Sequence, residues 1–136
     1  MKDVMEHKAN ELLSKCPIAA LSSITENGYP RVCMMAKLKT DNFKKLYFAT
    51  GVNSKKVAHF LANPKAGVSY YEGNDSVTLT GNIEISQDIE LKKQLWEEDF
   101  AEYYTGGVGD PSYCILTFTA KEALVSIDNQ CETLQF

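Results

Sequence analysis

Apolar positions along this chain follow two different periods. Met5, Ala9, Leu12, Leu13 and Cys16 recur at the spacing of one helical face until Pro17 ends the run, which predicts a helix over 5–16. Residues 18–25 are apolar and rich in β-formers, Asn27-Gly28 favours a tight hairpin turn, and residues 31–38 return with strict alternation. On that returning strand Val32, Met34, Ala36 and Leu38 share one face. Arg31, Cys33, Met35 and Lys37 share the other, which therefore carries both of the strand's charges.

A loop at Thr40-Asp41-Asn42 precedes a third strand over 45–50, and Gly51-Val52-Asn53 leads into a short helix over 54–62 that Asn63-Pro64 stops. Strands follow over 66–71 and 77–85. The latter has the clearest alternation in the chain, with Val77, Leu79, Gly81, Ile83 and Ile85 set against Ser76, Thr78, Thr80, Asn82 and Glu84. Asp88 can cap a helix whose stripe of Ile89, Trp96, Phe100, Tyr103 and Tyr104 becomes aromatic, before Gly106-Gly107-Val108-Gly109-Asp110-Pro111 breaks it. Strands over 113–119 and 123–127 bring the total to six or seven, mostly joined as hairpins. The expected fold is mainly β: an antiparallel barrel with flanking helices, covering 1–136 as a single domain.

Composition narrows the partners. Fourteen basic against eighteen acidic residues leave a net charge of −4, so no global positive field exists to hold nucleic acid or an acidic membrane. No apolar run approaches the roughly 20 residues that span a bilayer. Four cysteines lack any Cys-x-x-Cys spacing, His7 and His59 have no neighbouring thiol, and the chain opens on charged Lys2 and Asp3, not on an apolar signal segment. A cytoplasmic protein with reduced thiols and no metal site is expected. Arg31 is the only arginine, so planar recognition of an anion must lean on it.

Candidate chemistry concentrates at Asn53-Ser54-Lys55-Lys56, where two cations occupy the first turn of a helix whose N-terminus is already partly positive. That placement is unfavourable unless the lysines project into water or an anion such as a phosphate sits on the exposed amides. The glycine patterns of a P-loop or a dinucleotide fold are missing, as is Gly-x-Ser-x-Gly. His59 reads as a surface residue of its helix, and Glu97-Glu98-Asp99 as a solvated face. Trp96 and Tyr104 are candidates for covering a flat ring, while most other aromatics belong to the core or an interface. No catalytic residue stands out.

The order of these motifs resembles the split-barrel flavoproteins related to pyridoxamine 5′-phosphate oxidase, in particular their short general-stress-protein-like subgroup. The resemblance is carried by Gly28-Tyr29-Pro30-Arg31-Val32, by Leu46-Tyr47-Phe48-Ala49-Thr50 with Ser54-Lys55-Lys56 and Asn63-Pro64, by Val77 to Gly81, and by Gly109-Asp110-Pro111. It implies a split β-barrel and a homodimer with FMN between the subunits. It further implies that Arg31, Ser54, Lys55 and Lys56 hold the FMN phosphate, that Met34 and Met35 line the ring through their backbone, that Ala49 and Thr50 border it, and that Ser76 reaches it from the neighbouring subunit. Lys37, six residues beyond Arg31, lies roughly 20 Å along the strand and cannot share the phosphate. The implied activity is that of an oxidoreductase acting through the flavin on a small substrate, with a nicotinamide as one possible donor. The alternatives are a non-catalytic FMN carrier or redox sensor, and a haem- or deazaflavin-binding relative. Ala36 stands where the oxidase-type strand has lysine, and Gln135-Phe136 where the oxidase carries an Arg-x-His segment, so oxidation of pyridoxamine phosphate is not the expected reaction.

Overall fold

The computed structural model describes residues 2–40 and 42–136; Met1 and Asp41, the latter in the loop expected at 40–42, lie outside the described residues. Helix α1 (Lys2–Ser14) is followed by β1 (Ile18–Ile24), β2 (Pro30–Ala36), β3 (Lys45–Gly51), α2 (Lys55–Ala62), β4 (Lys65–Glu72), β5 (Asp75–Ser86), α3 (Ile89–Leu95), β6 (Tyr113–Ile127) and β7 (Gln130–Gln135). The seven strands form one antiparallel sheet in the order β2-β1-β4-β5-β6-β3, with β7 added beside the second half of β6. It is a mainly β fold, a split barrel, as expected. Among the described residues no helix is long and apolar enough to cross a membrane.

Alternation decides what fills the barrel. Leu21, Phe48, Val68, Leu79, Phe118 and Val125 point inward and are fully buried. Helix α1 lies against β4, β5 and β6 with Met5, Ala9, Leu12 and Leu13 buried, and the Tyr70 hydroxyl donates to the Ala9 carbonyl at 3.0 Å. A smaller cluster of Leu38, Leu95, Tyr113 and Ile115 sits on the other side of β3, where α3 covers Tyr47 and Ala49.

Three elements differ from the sequence expectation. The helix opened by Asp88, whose carboxylate accepts from the Leu91 amide at 3.2 Å, ends at Leu95. Trp96 and Glu97 are extended, and a separate 3₁₀ turn runs over Glu98–Glu102. The break lets Trp96, Phe100 and Tyr104 all gather on Tyr113, at ring-centroid distances of 5.3, 5.9 and 5.0 Å. It also puts Glu98 and Asp99 in a new first turn, the favourable end for negative charge.

The two strands expected at 113–119 and 123–127 are one, β6, bent by a bulge. Thr80 pairs with Glu122 and Gly81 with Ala120, leaving Lys121 as the extra residue. Gly81 is obligatory there, because a Cβ would lie 2.0 Å from the Thr119 carbonyl oxygen. Strand β7 was not anticipated. It follows a two-residue turn in which Asp128 and Asn129 both take positive φ, 55° and 62°, the left-handed pair that suits a tight hairpin.

The alternation on β2 is as read, but its orientation is instructive. Cys33 and Met35 pack on the core, whereas Val32 and Met34 are 63% and 64% exposed. The face of Cys33 and Met35 looks inward and that of Val32 and Met34 looks out, while Arg31, at the open end of the strand, stays exposed and Leu38, beyond its other end, is buried.

Candidate functional site at the split of the barrel

Strands β2 and β3 are both sheet edges, and among the described residues no ladder joins them. They meet where the Leu38 amide donates to the Tyr47 carbonyl at 2.9 Å. From that link β3 runs on towards α2, while β2 traced backwards reaches Arg31 seven residues away, roughly 23 Å at the strand rise. The result is a gap bordered by two free strand edges. An edge strand leaves alternate N–H and C=O groups unpaired, so one residue of the pair Met34 and Met35, and one of the pair Ala49 and Thr50, turns free backbone groups to the gap.

Helix α2 starts at the far end of β3. Ser54 is its N-cap, with Oγ accepting from the Val57 amide at 3.4 Å and from the Thr50 hydroxyl at 3.3 Å. The amides of Lys55 and Lys56 are left without a partner among the described residues, as the first turn of a helix requires. Arg31 arrives from the other side. It lies directly opposite Ser23 in the β1–β2 ladder, and the Ser23 hydroxyl, itself buried, is 2.9 Å from Nδ1 of His59 on α2. That bond ties α2 to β1 beside Arg31.

Electrostatically this corner is unbalanced. Among the described residues neither Arg31 nor Lys55 nor Lys56 is paired with a carboxylate, the ion pairs found being His7 with Glu11, Lys8 with Asp128, Lys44 with Glu6 and Lys93 with Glu90. Three cations and two free amides round one corner are a donor set suited to a phosphoryl group. Lys56 lies near Cys114, whose thiol burial pushes up and whose thiolate Lys92 and Lys56 favour.

Of the residues singled out from the sequence, Met34, Met35, Ala49 and Thr50 lie on the two edge strands, Ser54, Lys55 and Lys56 at the start of α2, and Arg31 opposite Ser23 on β2. Side chains divide further: Met35 packs on the core, Met34 points outward, and Ala49 packs under α3, so the last two offer the gap only backbone. Ser76 does not join them within one chain. It pairs with Tyr71 and lies on the outer sheet face, whereas Ser22, the neighbour of Ser23, lies beside Gly67 at the other end of β4. Lys37 lies close enough to Cys16 to favour its thiolate, well away from α2. Trp96 and Tyr104 are half-buried against Tyr113 in the cluster over β3, whose hydroxyl donates to the Lys92 carbonyl and is pushed up to about 12 by burial.

His59 is the residue that the sequence reading left on the surface. Its one available signal was helical spacing, since it stands four residues after Lys55 and three after Lys56. Its contact with Ser23, 36 residues away, is a tertiary fact.

The comparisons bear on the fold and the family. A sequence model of the family described as pyridoxamine 5′-phosphate oxidase matches residues 5–126. No curated protein matches the chain. Among solved structures, a Clostridium acetobutylicum protein described as related to general stress protein 26 of Bacillus subtilis, in the pyridoxinephosphate oxidase family, is 29% identical. The alignment covers 100% of this chain and 97% of that one, with a TM-score of 0.86. General stress protein 26 of Bacillus anthracis shares the fold at 24% identity, 97% and 98% coverage and a TM-score of 0.82. A haem-binding protein of Mycobacterium smegmatis shares it at 12% identity and a TM-score of 0.77, over 96% of this chain and 57% of its own. With the family match running through nine-tenths of its length, the chain belongs to the pyridoxamine 5′-phosphate oxidase family.

Proposed function

We propose that this protein binds FMN in the gap between β2 and β3 and acts as a flavin-dependent oxidoreductase on a small substrate. The observation that carries the reading is the pairing of Lys55 and Lys56 in the first turn of α2 with Arg31 across from Ser23, which bonds to α2: among the described residues, three cations without carboxylate partners and two amides without acceptors. Arg31 and the lysines would hold the phosphate, Ser54 would keep the helix start in place, and the free edges of β2 and β3 would meet the polar rim of the ring. Bound there, FMN would supply two-electron chemistry that no side chain of the gap supplies by itself. With Arg31 as the only arginine and committed to the cofactor, a second phosphate has no guanidinium to receive it, which argues against pyridoxamine phosphate as substrate.

The working unit in this reading is a homodimer. Ile18, Val32, Met34, Tyr71 and Leu124 are exposed, and strand alternation puts them on the outer face of the sheet, at the free β2 edge and among the polar side chains of β5. Ser76 lies on that same face, so only a second copy can bring it to the gap. Four unpaired cysteines fit a cytoplasmic setting.

Titration of the purified protein with FMN, followed by flavin fluorescence, tests the reading: one FMN per chain is expected, with riboflavin bound far more weakly. Indifference to FMN overturns it, and tight uptake of haemin instead would align the protein with its mycobacterial structural neighbour. Turnover with NADH or NADPH and an acceptor separates an oxidoreductase from a carrier or sensor.

A further inference from the structure

We propose that Ser23 holds His59 as the Nε2–H tautomer and that this N–H is a further donor to the flavin phosphate, beside Arg31 and Lys55. The proposal rests on the FMN reading above and concerns a side chain that neither the family match nor the sequence motif brings in.

Ser23 is 3% exposed and faces inward with Ala19 and Leu21. Among the described residues its hydroxyl has one hydrogen-bond partner, Nδ1 of His59 at 2.9 Å. A buried hydroxyl proton needs an acceptor, and here the ring nitrogen is the one on offer. A neutral imidazole has one acceptor and one donor nitrogen, so if Nδ1 accepts, the proton resides on Nε2. Nothing in the described chain uses that N–H: Glu26 lines the same surface hollow as His59 but makes no hydrogen bond to the ring.

Position makes the free donor useful. In an antiparallel ladder, directly opposite residues project to the same face, so Arg31 shares the inward side with Ser23, as Cys33 and Met35 do further along β2. On α2 the ring stands one turn below both Lys55 and Lys56, on the flank they share. Arg31, Ser23, His59 and Lys55 are therefore linked in series across two strands and one helix. The hydroxyl fixes which nitrogen carries the proton, the ring carries it outward, and the cations bring the anion to it. His59 is thus a binding residue whose donor is oriented by Ser23.

Two variants separate the donor from the tie. His59→Asn keeps an acceptor at the Nδ1 position for Ser23 and removes the distal N–H. His59→Gln puts an N–H at the Nε2 position. Relative to wild type, the ratio of FMN to riboflavin affinity should fall about tenfold in His59→Asn and stay within about twofold in His59→Gln. Nitrogen NMR of the imidazole in the wild-type protein should show Nδ1 as acceptor and Nε2 protonated without ligand, and the Nε2–H signal should move with FMN but not with riboflavin. A proton on Nδ1, an unchanged ratio in His59→Asn, or equal losses in both variants with FMN still bound by wild type overturns this proposal alone. Failure of the wild type to bind FMN overturns the FMN reading and this proposal with it.

Discussion

Beneath α3, Lys92 is 3% exposed and has no carboxylate partner among the described residues; at the start of α2, on the other flank of β3, Lys55 has none either but is exposed. Lys92 is nonetheless satisfied. Its ammonium donates to Gln87 Oε1 at 2.8 Å and to the Asp110 carbonyl at 3.2 Å, and stands 5.0 Å from the centre of the Tyr113 ring. Neutral oxygens and a π-face take the place of a counterion. Around Arg31, Lys55 and Lys56 no such oxygens are arranged among the described residues, although two more donors, the first-turn amides, add to the surplus. One lysine is absorbed by the structure it holds, while the others are left available. That contrast distinguishes a structural cation from a ligand-seeking one better than sequence position does, since both flanks contain a Lys-Lys pair in a short helix.

Removing the absorbed lysine is the strongest way to test the contrast. Lys92→Ala opens a cavity under α3 and strands two acceptors, which should lower stability by roughly 2–4 kcal/mol. Lys92→Met fills most of the volume and should cost less. Urea unfolding of both variants measures this, and an unshifted midpoint for Lys92→Ala would show that the buried ammonium holds nothing together. FMN affinity of the folded fraction should stay near that of wild type.

The opposite pattern is expected for Lys55→Ala with Lys56→Ala. Two positive charges leave a positive helix end, so stability should be unchanged or rise by up to about 1 kcal/mol. Affinity for FMN should drop about 10- to 100-fold, because each lost charge-assisted bond is large on that scale. Riboflavin, which lacks the phosphate, should bind as before. Equal losses for both flavins would move the phosphate away from α2.

How far sequence could lead depended on whether a contact was local. β5 was legible because Val77, Leu79 and Ile83 face one core while Thr78, Thr80 and Glu84 face water, so its period is uninterrupted. The start of α2 next to Ser54 and Asp88 capping α3 were legible for the same reason. The aromatic stripe over 96–104 misled, because its rings converge on Tyr113 through a break that no helical period describes. β6 looked like two strands because Lys121-Glu122 interrupts the apolar run; the interruption is a bulge, made possible by Gly81 on the neighbouring strand. β7 has Leu134 as its one buried side chain, too little for a pattern. On β2 the alternation was plain but not which face turns inward. His59 needed Ser23, which no window along the chain contains.

The smallest effect concerns the loop that carries the acceptor for Lys92. The Asp110 carboxylate accepts from the Ser112 amide at 2.9 Å, from the Ser112 hydroxyl at 2.8 Å and from the Gly106 amide at 3.0 Å. Those bonds, the Ser112 amide first, hold its carboxyl below the usual aspartate range. With the folded value depressed, the ionised carboxylate stabilises the loop above the unfolded value, and the contribution is lost as pH falls through the lower folded one. Acidification should therefore shift the Gly106 and Ser112 amide signals together, with a midpoint below that of an ordinary aspartate. Asp110→Asn should remove that step while leaving the Lys92 ammonium bound to a backbone carbonyl that needs no charge. If the two amides titrate at an ordinary carboxyl value, the turn is held by its glycines alone, and the neutral cage around Lys92 depends on backbone shape and not on this side chain.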